Sequence, residues 1–454
     1  MKLNSTVATG AIFFLVSNVD AFQGFATSTR QRTALKAVSN VSFDAIEGKQ
    51  VLVVGGSGRV GGSVVTQLIK RGGKVTVGAT RRESFDVSRA RWIEVFPELS
   101  SQLQAVDFVV LNREVASSVS PQGYDLVVHT AGPFQGKAKV PNGILEACVD
   151  SKVPYVDVCD DYCTAMAAKA KYAEKAKAGG VPCIVSTGCW PGVSSLMAKQ
   201  LVDTALKSYP SLTPADLNVD FGFFTAGSGG AGSTLLVATF LILAEEALTV
   251  VKGRRIPVKA MKEYSTVNFG PVVGDKPIAH LNLLETASVH DVLGVGGTKC
   301  LFGTAPGFWN TLLGVMAQLP QSFLANEDLM TKLALFSLPI VRVVDFFAGA
   351  TNAMRCDVTS DKEPSLQATA IYAHENLEPC VGECVVAFCS AVLSGSVPAG
   401  VWFPEEAIDS GADAAAVLDL ASIGAHTVEV ESTIDISCEQ IWGKASTKEA
   451  VPMS

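Results

Sequence analysis

Lys49-Gln50-Val51-Leu52-Val53-Val54-Gly55-Gly56-Ser57-Gly58-Arg59-Val60-Gly61-Gly62 decides how this chain folds. A short β-branched run ends in spaced glycines, and the apolar pattern then turns helical through Val64, Val65, Leu68 and Ile69. The order is strand, tight turn, helix. Gly56 is expected to make the turn, Gly58 to let the backbone approach a pyrophosphate, and Gly61 to let helix and strand pack closely. Ser57, Arg59 and Val60 complete the expected cradle. The helix N-terminus adds unpaired N–H groups and partial positive charge for the phosphates. A merely structural turn is the competing reading.

Alternation of strand and helix continues. Lys74–Gly78 (KVTVG) is the second strand, followed by Thr80, Arg81 and Arg82. Arg81 stands about 20 residues past the glycines, where an NAD enzyme carries an acid for the ribose 2′-OH. Two guanidinium groups instead suit a 2′-phosphate, so the expected cofactor is NADP(H). Further strands run through 108–111, 126–129 and 155–158. The strand at 126–129 enters Thr130-Ala131-Gly132-Pro133-Phe134, small residues expected to border the cofactor. This predicts an α/β fold with a doubly wound parallel sheet.

Past residue 195 the pattern changes. Leu217–Phe224 alternates like an antiparallel strand and leads into a second glycine-rich loop, with a helix expected over 234–250. Gly229 and Gly230 of that loop, with Trp190, are the candidate substrate-binding residues. A loop that merely lets the apolar helix pack is the equal alternative. Phe308-Trp309 and Phe346-Phe347 read as core or dimer contact rather than substrate box. Helical pieces at 404–408 and 414–423 close the chain.

The chain has 454 residues, 48% of them apolar and 18% charged, with a net charge of −8. Length allows two or three domains, and the acidic balance argues against a nucleic-acid partner. A mean hydropathy of +0.31 calls for a large core, an oily pocket, a homodimer or a peripheral membrane contact. Eleven cysteines without a CxxC pair read as reduced, mostly buried thiols, and no metal site is expected.

Residues 1–40 do not read as fold. A basic start, the h-region Val7–Val16, and an acid-free stretch after Ala21-Phe22 resemble the bipartite presequence of algae with secondary plastids. That resemblance implies plastid import; plain secretion is the alternative.

The order of GGSGRVGG, HTAGPF, ACVDSKVPYVDVCDDY and STGCWPGVSSLMA resembles the saccharopine dehydrogenase-like oxidoreductases. FFTAGSGGAGSTLL, FGTAPGFWN and VPAGVWFPEEAID look like their plastid and cyanobacterial branch. The resemblance spans roughly residues 49–410. It implies a Rossmann domain for NADP over 49–192 and an α+β substrate domain with a mixed sheet over 193–400. A closing segment, 401–454, is implied to return to the first domain. It also implies substrates ranging from secondary-amine amino acids and polyamine derivatives to lipid-like enoyl compounds.

Such a reductase needs little beyond a held nicotinamide and one proton donor. Candidates at the strand ends are His129, Asp157, Asp160, Asp161 and Tyr162, with the segment 157–162 favoured. His129 also reads as a satisfied core residue, Asp157 as a loop anchor and Tyr162 as surface packing. The second domain is poor in arginine (Arg254, Arg255, Arg342, Arg355), which favours an apolar substrate with one polar group. The expected activity is NADPH-dependent reduction of a C=C, C=O or C=N bond in a hydrophobic plastid metabolite. The alternative is a silent NADP(H)-binding scaffold that docks a partner or membrane.

Overall fold

Val51–Val54 of strand β1 (Gln50–Val54) are all buried, because this strand lies between two parallel neighbours and under helices on both faces. The computed structural model describes residues 39–113, 119–140, 142–227 and 233–444. Apart from its last two residues, the presequence read above lies outside them. So do Gly229 and Gly230.

Strands β2 (Lys74–Ala79), β3 (Asp107–Val110), β4 (Leu126–His129), β5 (Tyr155–Asp157) and β6 (Pro182–Ile184) join β1 in a parallel sheet. Its order, 3-2-1-4-5-6, reverses between β1 and β4. That switch point is where doubly wound sheets open a crevice at the carboxyl ends of their strands.

A second sheet is built on β7 (Leu217–Ala226). Next come β8 (Ala247–Val251), β9 (Arg254–Val258), β10 (Ser265–Asn268), β11 (Asp275–His280), β12 (Gly297–Ala305), β13 (Thr351–Ser360) and β14 (Gln367–His374). β7 runs parallel to β12 and antiparallel to β13, so the sheet is mixed.

The helix expected over 234–250 ends at Ile242. Glu245 and Glu246 interrupt the apolar run. Thr249, Val250 and Val251 then form a hairpin with β9 through Lys252 and Gly253, both at positive φ.

The chain end serves both sheets. β15 (Gly400–Trp402) extends the first sheet beside β6, and β16 (Thr427–Ser432) extends the second beside β14. The segment after 400 is therefore divided between the two sheets. The helix Leu377–Leu393 packs on the helix Arg59–Lys70. They approach so closely that a Cβ on Gly382 would lie 2.1 Å from Ser63 Oγ.

Candidate active site

β1 ends at Val54, and the next residue, Gly55, has φ of +80°. The turn glycine is thus Gly55 rather than Gly56. A Cβ on Gly56 would instead press against Val77 at 3.0 Å. Gly58 caps the helix Arg59–Lys70, and its N–H donates to Gly55 O at 2.9 Å. Gly61 has the strictest place: a Cβ there would lie 2.2 Å from Gly55 O and 2.6 Å from Thr130 Oγ1. The loop after β4 is tied to the same point, since Thr130 N and Oγ1 both donate to Val54 O. A tight glycine turn, a helix N-terminus and a neighbouring strand end form a cradle for a dinucleotide diphosphate.

This cradle is one end of a cavity of about 1250 Å³. Gly55, Ser57, Gly58, Arg59, Val60, Gly61 and Thr80 line it, as do Thr130 through Gln135, Asn112 and Arg113. Gly56 is not on its wall. Arg113, which the sequence reading missed, follows β3 and donates to Pro133 O at 3.2 Å and to Ala131 O. Its only sequence signal is a position one turn past a short apolar strand.

Arg81 and Arg82 follow Thr80, exposed and beside the cavity rather than on its wall. Arg82 lies over the rings of Phe85 and Phe108, 5.4 and 5.2 Å from their centres. Ser88 Oγ pins the helix that Arg82 opens to Ser57 O at 2.8 Å. Arg82 therefore stands at the rim of the cradle, with Arg81 exposed next to it in the chain.

Three of the five proton-donor candidates, His129, Asp157 and Tyr162, are placed elsewhere. His129 is buried with Nδ1 2.9 Å from Tyr155 OH. Burial, with the Arg113 charge added, pushes its pKa down to about 3, so the ring is neutral at ordinary pH. Asp157 Oδ1 accepts from Cys159 N at 3.0 Å and Ser186 N at 2.9 Å, and its Oδ2 accepts from Tyr155 OH at 2.9 Å. It staples two loops together, and Ser186 holds a positive φ of 66° there. The Tyr162 hydroxyl donates to Asp291, and its ring stacks on Phe403. Burial, with the Asp291 charge, raises that phenol further from its ordinary value. None of the three lines the cavity.

Asp160 does. It sits between the Thr130–Gln135 loop and the loop holding Gly188, Cys189, Trp190 and Pro191, all of which line the same space. Burial lifts its carboxyl to about 6, and the charges of Asp161 and Asp157 add to the lift against a hydrogen bond from Gln135. The motif CDDY pointed to this segment but not to which carboxylate faces inward. Backbone direction after β5 decides that.

Beyond Trp190, which packs on Phe223 at 5.1 Å, the cavity runs into an apolar chamber. Leu236, Phe240, Leu284, Phe302, Leu313 and Met316 are among its walls. Trp309 is also there, so it is cavity lining rather than the core or dimer contact expected, because the helix Phe308–Met316 turns that side inward. Phe346 and Phe347 are not core either: they are 84% and 80% exposed.

The charged residues on the cavity wall are Arg59, Arg113, Asp160, Asp345 and Glu378. Arg59 is paired with Glu378 at the cradle. Past the nucleotide loops the described wall carries no arginine or lysine. Arg255 pairs with Asp291 and Arg355 with Asp357, both away from it.

Residues 51–184 match the family model described as the saccharopine dehydrogenase NADP-binding domain. This part of the chain is an NADP-binding domain. The pocket of the saccharopine dehydrogenase-type domain therefore takes NADP(H), the cofactor of hydride-transferring oxidoreductases. Comparison with curated proteins finds no match. Among solved structures, the chain is similar to apo saccharopine dehydrogenase (L-Glu forming) from Saccharomyces cerevisiae. The identity is 13%, the match covers 85% of this chain and 100% of that one, and the TM-score is 0.55. The likeness extends the shared fold across both sheets. An NADPH-bound short chain oxidoreductase from Pseudomonas aeruginosa PAO1 matches 30% of this chain and 70% of its own, at 16% identity and a TM-score of 0.25.

Proposed function

We propose that this protein is an NADPH-dependent reductase of an apolar, plastid-held substrate bearing one polarised double bond. One observation carries the reading. The nucleotide cradle opens directly into an apolar chamber whose described wall carries no arginine or lysine, with the Asp160 carboxyl at the junction and Asp345 the other carboxyl beyond the cradle. An amino-dicarboxylate needs fixed cations, and this wall offers none past the cradle. An apolar body with one polar group fits instead.

The glycine turn, the helix N-terminus at Arg59 and the rim arginines would hold the cofactor, which supplies a hydride when bound. Trp190 and the Thr130–Gln135 loop bound the junction and keep water from it. Asp160, lifted to about 6, is protonated often enough near neutrality to donate a proton to the reduced substrate.

The test is consumption of NADPH by the purified protein with long-chain 2-enals and alkyl ketones, beside saccharopine with NADP⁺. Turnover of an apolar carbonyl and none of saccharopine is expected. Useful saccharopine oxidation would overturn the substrate assignment, and tight NADPH binding without any turnover would favour the scaffold reading.

A further inference from the structure

The helix Glu327–Ala348 has two apolar sides with different neighbours. Leu333, Ser337, Val341 and Asp345 line the chamber. The opposite side presents Leu335, Phe336, Ile340, Val343, Phe346 and Phe347 to solvent, with Phe336 76% exposed. Positions 336, 340, 343 and 347 fall on one helical stripe. Isolated exposed apolar residues are ordinary, but a continuous bulky stripe marks an interaction surface.

The chamber reaches this surface. Leu312, Leu319 and Phe323 line the chamber and are also 44%, 41% and 41% exposed. These three are thus chamber wall and exposed apolar surface at once, so the chamber reaches solvent along the segment 308–324 that precedes the helix Glu327–Ala348.

Charge narrows the occupant. Residues 308–324 contain no charged residue. The helix Glu327–Ala348 begins with two exposed carboxylates, Glu327, which pairs with Lys137 at 3.0 Å, and Asp328; along the apolar stripe itself the charges are Lys332 and Arg342, both exposed, and Asp345, which faces the chamber. Neither cation has an ion-pair partner among the described residues. An apolar face flanked by cations suits a layer of anionic lipid, with aromatic side chains in the acyl boundary and Lys332 and Arg342 at the headgroups. No described helix is long and apolar enough to cross a membrane, so the contact lies in the interface plane.

We infer that the helix Glu327–Ala348 docks this protein on an anionic bilayer and opens its chamber to the lipid phase. The docking stands on the surface alone; its use as the route of an apolar substrate rests on the reductase reading.

The test is flotation of the full chain with phosphatidylcholine vesicles containing about 30% phosphatidylglycerol, whose negative surface potential attracts basic residues. The wild type is expected to float, several-fold less with pure phosphatidylcholine. A variant carrying Phe336→Ser, Phe346→Ser and Phe347→Ser is expected to lose at least about tenfold of the bound fraction. It should keep wild-type NADPH affinity, which shows that it is folded. Failure of the wild type to float, or equal flotation of the variant, overturns the docking. So does a wild-type dimer that the variant converts to monomer, since the face would then join two copies. Flotation with no turnover of any apolar carbonyl would leave the docking standing and remove the reductase reading.

Discussion

Ser194 Oγ donates a 2.7 Å hydrogen bond to Glu285 Oε1 in a pocket closed to solvent. Ser194 lies in the first turn of the helix Val193–Ser208, which packs on β13 and β14 of the second sheet, and Glu285 in the first turn of the helix Leu284–Leu293, which packs on β12 and β8 of the same sheet. The other carboxyl oxygen of Glu285 has no partner among the described residues. Burial lifts Glu285 to about 7, and the charges of Glu405 and Asp160 add to it against the Ser194 bond. A carboxyl so placed is held in its neutral form, where one donor and one apolar contact suffice.

Stability should therefore fall as pH rises. The unfolded chain loses the Glu285 proton near 4.5, whereas the native chain keeps it until about 7. Between those values the native state binds more protons, so each step upward in pH favours unfolding. The window is worth of the order of 3 kcal/mol at most. Glu285→Gln mimics the neutral acid and should raise the unfolding midpoint at pH 8 by several degrees while changing it little at pH 4.5. Thermal unfolding at both pH values checks this. An equal effect of the variant at the two values would remove Glu285 as the source.

Asp160 titrates in the same direction, but its readout is rate rather than stability. As proton donor it is competent while protonated, so reduction should slow as pH rises through about 6. Asp160→Asn should lower kcat by about 10²-fold or more and flatten that limb. NADPH affinity should stay within about twofold, because Asp160 faces the chamber junction rather than the diphosphate cradle. Rate profiles of both proteins with one apolar carbonyl decide it. An unchanged profile in the variant would return the role to another group.

The nucleotide half was legible because its signals are local. A β-branched run, a glycine turn and a helical stripe fix strand, crossover and cradle within about 20 residues. Spacing alone cannot say which of two adjacent glycines takes positive φ, and so the turn expected at Gly56 lies at Gly55. The site's inward carboxyl was not legible. Asp157, Asp160, Asp161 and Tyr162 lie close together between the end of β5 and the start of the next helix, and a hydrogen bond from Ser186 N, 29 residues away, draws Asp157 into the scaffold. The chamber was hidden for the same reason. Trp309, Leu284 and Phe302 look like core residues in sequence, and only the packing of three distant segments makes them a wall. Burial against protein and burial against a substrate leave the same apolar signature.

The rim arginines give a prediction on cofactor choice. Arg81→Ala with Arg82→Ala should raise the KM for NADPH by at least about tenfold, the loss of one or two charge-assisted hydrogen bonds to a 2′-phosphate. The KM for NADH, which lacks that phosphate, should change by less than about twofold. Arg82 also lies over Phe85 and Phe108, so the unfolding midpoint is measured alongside to separate packing from recognition. Parallel rises for both cofactors would mean that the pair supports the loop rather than the phosphate.

Gly61 offers the sharpest test of the cradle, because its neighbours are held from two strands at once. A methyl group there meets Gly55 O and Thr130 Oγ1 at distances no Cβ tolerates, and to move they must break the turn bond from Gly58 N to Gly55 O or the bond from Thr130 Oγ1 to Val54 O that joins β4 to β1. Gly61→Ala should therefore push the helix N-terminus off the diphosphate position and lower NADPH affinity by at least about 10²-fold, with a clear loss of stability. Gly48→Ala is the control. Gly48 has φ of +73° with nothing within 4 Å, so its methyl costs only backbone strain of about 1 kcal/mol and should leave NADPH affinity intact. Titration of cofactor fluorescence with both variants reads the difference. Wild-type affinity in a folded Gly61→Ala protein would mean that the diphosphate is held somewhere other than this helix N-terminus.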